Sequence, residues 1–198
     1  MSVQIVLASS SPRRRELLRL IGLPCEVIPA NIDESRKNGE APLGYAERLA
    51  REKAAAVAGA GAGAVVVGAD TIVVIDGDIL GKPRDAAEAE AMLRRLSGRE
   101  HLVHTALAVS FEGRVASGVE TTRVWFRPLD NRLIAEYVAT GDPLDKAGAY
   151  GIQGYGALIV ERIEGDFFTV MGLGLVRLVA LLAEVGLEYR FGELAASR

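Results

Sequence analysis

The feature that most restricts the fold is a long apolar stretch, AVVVGADTIVVIDGDILGKP, at residues 64–83. Its run of β-branched residues is typical of a buried β-strand. Within it, Asp76-Gly77 is a two-residue hairpin signal. The stretch therefore predicts a long strand, kinked near Gly68, that turns back on itself. An acidic residue, Asp70, lies in the middle of this strand, and a carboxylate is costly to bury without a partner.

Helix and strand patterns alternate in the first part of the chain, and hairpins dominate the later part. Helices are predicted over residues 12–21, 45–57, 85–96, 130–139 and 172–185. Further strands are predicted over residues 3–8, 102–111, 114–126, 157–163 and 166–170, with the last two paired about Glu164-Gly165. The segment GAGAG at residues 59–63 predicts a short flexible connection. This mixture favours a single α/β domain over residues 1–198, with a mixed rather than a purely parallel sheet.

Composition excludes several classes of protein. The chain has 198 residues, of which 49% are hydrophobic and 25% are charged, as is ordinary for a soluble globular protein. Its net charge of −3 provides no cationic field for binding nucleic acid or a membrane surface. Cys25 is the single cysteine, which excludes an internal disulfide and fits a cytoplasmic location. We expect neither a signal peptide nor a membrane span, because no apolar run approaches the roughly 20 residues that a span requires.

An unusual helix start lies in the segment LASSSPRRRELL near the N-terminus. Ser11-Pro12 favours a helix that begins at Pro12. Arginines follow at once, although the first turn of a helix already carries partial positive charge. A bound anion would satisfy the free N–H groups and offset the charges of Arg13 and Arg14, beside the hydroxyl of Ser9. We therefore predict phosphate binding there, whereas Arg15 fits a solvated basic face.

Asp70 is also a candidate for a catalytic group. In a cleft it could bind a divalent cation or take a proton from water, and the hydroxyl of Thr71 is next to it in sequence. The alternative is a bulge, or an acid that caps a strand break. Glu34 in a loop, Lys53 late in a helix and Lys82 in the LGKP turn are each weak evidence alone. Together the lysines would form a cationic pocket that faces one or two carboxylates, which suits phosphoryl chemistry.

A glycine-rich loop, GAYGIQGYGA, contains Gln153. Its four glycines from Gly148 to Gly156 allow close approach to a ligand. The amide of Gln153 can donate and accept side by side, which complements the edge of a nucleobase; the alternative is a flexible surface loop. His101 and His104 are three residues apart, on opposite faces of a predicted strand, and cannot form a two-histidine metal site. We predict structural or surface roles for both histidines.

Six sequence blocks occur in order across nearly the whole chain: LASSSPRRRELL, RLAREKA, GADTIVV with LGKP, LSGREHLVHTAL, DKAGAYGIQGYGA and IEGDFFTVMGL. Together they resemble the Maf family of nucleoside triphosphate pyrophosphatases. The resemblance implies hydrolysis of a nucleoside triphosphate between the α and β phosphates, with a divalent cation, Mg²⁺ or Mn²⁺. It also implies a curved, mixed α/β sheet flanked by helices, related to the inosine triphosphate pyrophosphatases, with a central cleft between two lobes.

The same resemblance implies roles for individual residues. Asp70 occupies the position of the family's proton acceptor, and with Glu34 it would hold the metal. Lys53 and Lys82 match catalytic polar positions on the phosphate side. The remaining positions are Arg13, Thr71 and Gln153 for substrate specificity, and Ser9, Arg13 and Arg14 for phosphate binding.

The AYGIQG form of the loop resembles the branch of the family that acts on dTTP and UTP, since the Gln153 amide can pair with O4 and N3–H of uracil or thymine. Two alternatives stay open: the sister branch that acts on 7-methyl-GTP, and a non-catalytic nucleotide-binding regulator of septum formation. The resemblance further implies a homodimer. Gly174 stands where the family more often has Pro, and it predicts a looser start of the closing helix.

Overall fold

The computed structural model describes residues 3–59 and 63–196. The strands are β1 (Ile5–Leu7), β2 (Glu26–Val27), β3 (Val65–Ile75), β4 (Asp78–Leu80), β5 (Glu100–Phe111), β6 (Arg114–Phe126), β7 (Val160–Glu164), β8 (Leu187–Arg190) and β9 (Glu193–Ala196). The helices are α1 (Pro12–Leu20), α2 (Pro42–Ala56), α3 (Ala86–Leu96), α4 (Asn131–Ala139), α5 (Phe167–Met171) and α6 (Leu175–Glu184). The predicted connection at 59–63 falls mostly on residues that lie outside the described part of the chain.

The main sheet is mixed. Among the described residues, seven strands form it in the order β2-β1-β3-β5-β6-β7, with β4 paired to β3. β1 runs parallel to β2 and to β3, whereas β4 pairs antiparallel with β3, and β7 with β6. The prediction of an α/β fold with a mixed sheet is therefore confirmed. No helix in the described ranges is both long and apolar enough to cross a membrane.

The first of two compact units takes its described residues from Met1–Asp70, Thr105–Glu120 and Gly172–Arg198. In it, α1 begins as predicted: Ser11 is the N-cap, and its hydroxyl accepts a hydrogen bond from the backbone N–H of Arg14. The closing helix α6 begins later than predicted, at Leu175, with Gly174 as an N-cap that supplies no side-chain hydrogen bond.

Helix α2 lies directly against strand β3 at Gly68. A Cβ added at Gly68 would lie 2.2 Å from the carbonyl oxygen of Ala50 and 2.8 Å from the backbone nitrogen of Ala54, both in α2. No larger residue fits without movement of the backbone. This close approach brings the last turn of α2 next to the part of β3 that follows Gly68.

The second compact unit takes its described residues from Thr71–His104 and Thr121–Met171. Its core packs α3 against α4. His101, Phe126 and Tyr150 form an edge-to-face group with ring centroids 4.6, 4.9 and 5.3 Å apart, and Nε2 of His101 is hydrogen bonded to the Tyr150 hydroxyl at 2.7 Å. Burial lowers the pKa of His101 to about 4. His104 is also buried, so of the two predicted alternatives, structural or surface, the surface position is wrong for both histidines.

The predicted hairpin about Glu164-Gly165 is wrong. Its first arm starts later, as β7, and pairs with β6, while its second arm is the helix α5. The helix forms because Asp166 accepts hydrogen bonds from the backbone N–H of Thr169 at 2.6 Å and from its hydroxyl at 2.8 Å. This capping contact outweighs the β propensity of the two phenylalanines and the valine in the segment.

Replacement of Gly68 tests the packing of α2 on β3. We expect Gly68→Ala to lower the free energy of unfolding by about 1–3 kcal/mol or more, because the new methyl group overlaps the α2 backbone. Gly44→Ala is the matched control in the same helix, where nothing lies within 4 Å of an added Cβ. We expect it to stabilise by about 0.5–1 kcal/mol, since glycine is a poor helix former. Denaturant unfolding measures both, and equal stability of the two variants would contradict the close packing.

Candidate active site

A lysine links two carboxylates in the first unit. The Lys53 ammonium nitrogen lies 2.7 Å from Oδ1 of Asp70 and 2.9 Å from Oε1 of Glu34. The side chains of Lys53 and Asp70 are each 10% exposed, whereas that of Glu34 is 56% exposed. The arrangement thus joins a buried ion pair to an acid that solvent and ligands can reach.

Each member of this group comes from a different element. Lys53 is in the last turn of α2, where a cation is favourable for the helix dipole. Asp70 lies inside the continuous strand β3, so the alternative of an acid that caps a strand break is wrong. Glu34 is in an irregular loop before α2. The close packing at Gly68 is what allows the Lys53 side chain to reach Asp70.

Arg14 ties the start of α1 to the backbone beside Asp70. Its Nη1 donates to the carbonyl of Ala69 at 2.9 Å and to the hydroxyl of Ser9 at 3.0 Å, and its Nε donates to the carbonyl of Gly172 at 2.9 Å. Burial lowers the pKa of Arg14, and the charge of Asp70 opposes this shift. Through these bonds, Arg14 links the N-terminal part of α1 to the backbone at Ala69, directly before Asp70, and at Gly172.

The other residues of the α1 start differ in their surroundings. Ser9 is buried, and its hydroxyl also accepts from the backbone N–H of Ser11 at 3.2 Å. Arg13 is half-buried, whereas Arg15 is exposed, as its predicted solvated position requires. Of the three adjacent arginines, Arg13 and Arg14 are thus half-buried and only Arg15 is exposed.

Three predicted site residues belong to the second unit. Thr71 follows Asp70 in β3 and is half-buried. Lys82 is exposed in the irregular segment after β4, and Gln153 is exposed directly before a short 3₁₀ helix, Gly154–Leu158. A Cβ on Gly148 in the same loop would meet the Val73 side chain at 2.9 Å. That glycine serves packing within the protein.

Two hydrogen bonds from α2 to the loop that carries Glu34 have no counterpart among the sequence-based predictions. The Tyr45 hydroxyl donates to the backbone carbonyl of Glu34 at 2.7 Å, and Nη2 of Arg48 donates to the carbonyl of Ser35 at 3.0 Å. The spacing places Tyr45, Arg48 and Glu52 on one face of α2, three and four residues apart, but it does not indicate their partners in the loop.

Asp70 and Glu34 are the two carboxylates that could hold a divalent cation. Within residues 3–59 and 63–196, no group of three or more His, Cys, Asp or Glu side chains is arranged to hold a metal. Two carboxylates nevertheless suit Mg²⁺, which commonly takes one or two protein carboxylates and completes its shell with water and substrate phosphates. The donor chemistry therefore fits a cation that arrives with a phosphorylated ligand.

The sequence is similar to a well-populated group of proteins. The family model described as Maf-like protein matches residues 4–185. A dTTP/UTP pyrophosphatase of Symbiobacterium thermophilum is 51% identical over 92% of this chain and 94% of its own length. A dTTP/UTP pyrophosphatase of Moorella thermoacetica is 53% identical over 93% of this chain and 96% of its own length, and one of Aquifex aeolicus is 47% identical over 93% and 97%.

The solved structure of the Staphylococcus aureus Ham1 protein is similar with a TM-score of 0.46 and 17% identity, over 77% of each chain. The family model and the curated relatives show which family this chain belongs to. Their similarity spans nearly the whole chain, including the segments that contain Arg14, Lys53 and Asp70. The protein belongs to the Maf family.

Proposed function

We propose that this protein hydrolyses dTTP and UTP to the nucleoside monophosphate and pyrophosphate. The observation that carries the proposal is the Lys53 ammonium held between Asp70 and Glu34, since phosphoryl chemistry needs fixed positive charge beside a carboxylate. The curated relatives support the same conclusion, because those described above are named dTTP/UTP pyrophosphatases and are about half identical to this chain.

Asp70 acts as the proton acceptor in this proposal. It takes a proton from the water that attacks the α phosphorus, and the bond from that phosphorus to the bridging oxygen breaks, so that pyrophosphate leaves. Lys53 orients the Asp70 carboxylate and stabilises the negative charge that grows on the phosphate oxygens. A divalent cation, Mg²⁺ or Mn²⁺, held by Asp70 and Glu34 would neutralise part of the phosphate charge.

The remaining predicted residues keep their proposed roles. Ser9, Arg13 and Arg14 form the phosphate side of the site, supported by their place at the N-terminal end of a nine-residue helix. In addition, Arg14 holds the backbone of Ala69 in place next to Asp70. Arg13, Thr71 and Gln153 keep the specificity role that the family resemblance implies, and Lys82 keeps the catalytic one.

Location and assembly complete the proposal. A cytoplasmic location is supported by a chain with one cysteine and by a reaction that uses intracellular nucleotides. Assembly as a homodimer is supported by the family resemblance. Both are open to direct measurement by fractionation of cells and by light scattering of the purified protein.

A panel of nucleotides tests the proposed activity. We expect pyrophosphate release from UTP and dTTP in the presence of Mg²⁺ or Mn²⁺ to exceed that from 7-methyl-GTP by about 100-fold or more, because a site that hydrogen-bonds a pyrimidine edge rejects a base without the same donors and acceptors. Preferred hydrolysis of 7-methyl-GTP would instead assign the protein to the branch of the family that acts on that nucleotide. Nucleotide binding without pyrophosphate release would favour the non-catalytic regulator.

Neutralisation of Asp70 tests the proposed chemistry. We expect Asp70→Asn to lower kcat for UTP by about 10²–10⁴-fold, the usual contribution of a positioned general base. Asp78→Asn is the control, since Asp78 is an exposed acid paired with Arg95 at 2.6 Å, and it should keep the wild-type rate. Unfolding curves of both variants separate lost chemistry from lost structure. Full turnover by a folded Asp70→Asn protein would refute the assigned role.

A further inference from the structure

Glu34 lies in a segment that has no regular structure of its own. Residues 28–41 form neither helix nor strand, and the Glu34 side chain is 56% exposed. A carboxylate in such a loop has many accessible positions, and holding it in one of them costs conformational entropy. Its 2.9 Å contact with Lys53 therefore requires something that orders the loop.

Helix α2 supplies two hydrogen bonds to this loop at adjacent peptide groups. Tyr45 donates its hydroxyl to the carbonyl of Glu34 at 2.7 Å, and Arg48 donates Nη2 to the carbonyl of Ser35 at 3.0 Å. The two acceptors belong to Glu34 itself and to the residue after it. These bonds thus restrain the backbone from which the Glu34 side chain projects.

Arg48 is itself held rigidly. Glu40, at the end of the same loop, accepts from Nε of Arg48 at 2.7 Å and from Nη2 at 2.9 Å, a two-point contact that fixes the plane of the guanidinium. Glu52, one turn further along α2, accepts from Nη1 at 2.9 Å. The side chains of Arg48 and Glu40 are only 16% and 14% exposed, so solvent competes weakly for them.

A further contact and the ionisation of Glu40 strengthen the same group. The Arg48 guanidinium lies over the Tyr45 ring, 5.6 Å from its centroid, which packs the two loop-holding side chains together. The hydrogen bond from Arg48 lowers the pKa of Glu40 to about 2, so this acid stays ionised throughout the range in which an enzyme is assayed. The ion pair between Arg48 and Glu40 therefore holds the loop against α2 throughout that pH range.

We propose that Tyr45 and Arg48 are positioning residues that hold Glu34 in the place where it meets Lys53 and receives a divalent cation. The proposal rests on the proposed function, because it assigns Glu34 a part in that site. Neither residue needs to touch the nucleotide. Their effect is transmitted through two backbone carbonyls, and helix α2 carries both the lysine of the site and the residues that orient its more exposed acid.

A double-mutant cycle tests this inference. We expect Arg48→Met to raise the Mg²⁺ concentration needed for half-maximal pyrophosphate release by about tenfold or more, as is typical when a residue that orients a metal ligand is lost. In a Glu34→Gln background the same change should have almost no further effect, because residues that act through one another are not additive. Tyr45→Phe, which removes only the hydroxyl, should act in the same direction as Arg48→Met.

The control is Arg51→Met, on an exposed position of the same helix, where the guanidinium bonds the hydroxyl of Ser117 at 3.1 Å. It should leave the Mg²⁺ dependence unchanged. Amide hydrogen exchange gives a readout that needs neither metal nor activity: Arg48→Met should speed exchange in residues 33–40, and Arg51→Met should not. Unchanged exchange there, or an equal effect of Arg48→Met with and without Glu34, would overturn the inference. A wild-type protein that releases no pyrophosphate would instead overturn the proposed function.

Discussion

The first unit is organised around one buried ion pair. Asp70 sits within a strand of valines and isoleucines, where an isolated charge would be strongly unfavourable, and the Lys53 ammonium at 2.7 Å compensates it. That contact requires α2 to approach β3 closely, and Gly68 permits the approach. Glu34 then adds a second carboxylate on the exposed side of the same ammonium. The candidate site follows from a packing constraint between a helix and a strand.

Backbone carbonyls near both acids are held by arginine or tyrosine side chains. Arg14 donates to the carbonyl of Ala69, directly before Asp70, and Tyr45 and Arg48 donate to the carbonyls of Glu34 and the following serine. Such bonds fix side chains indirectly, through the peptide groups that carry them. The sequence suggested that a bound anion offsets the charge of the arginines at the start of α1. For Arg14, protein oxygens already provide part of that compensation.

Local signals in the sequence predicted most helices well. Ser11, Asp85 and Asp130 each cap the helix whose start they indicated. Such a cap can be predicted locally, because its side chain accepts a hydrogen bond from the backbone N–H only three residues later. The same rule, applied to Asp166, would have prevented the mistaken strand where α5 forms. The sequence analysis does not predict the β8–β9 hairpin. In its tight turn, Phe191 and Gly192 both adopt positive φ.

Contacts distant in sequence set the limit of prediction. The family resemblance singled out Lys53, Asp70 and Glu34, but no periodicity indicates that the lysine binds both acids. The 17-residue separation of Lys53 and Asp70 is closed only by the fold. For Tyr45 and Arg48 the sequence predicts only a place in a helix, because their partners lie in an irregular loop whose course local patterns do not predict.

The most direct test asks whether the ion pair serves catalysis or only folding. Removing Lys53 alone, as Lys53→Met, leaves the Asp70 carboxylate buried without its partner, and we expect a loss of about 3–5 kcal/mol in the free energy of unfolding. The double variant Lys53→Met, Asp70→Asn buries no unpaired charge, so most of that stability should return. Pyrophosphate release from UTP should nevertheless stay far below the wild-type rate in both variants. A double variant that recovers stability and hydrolyses UTP at the wild-type rate would contradict the account.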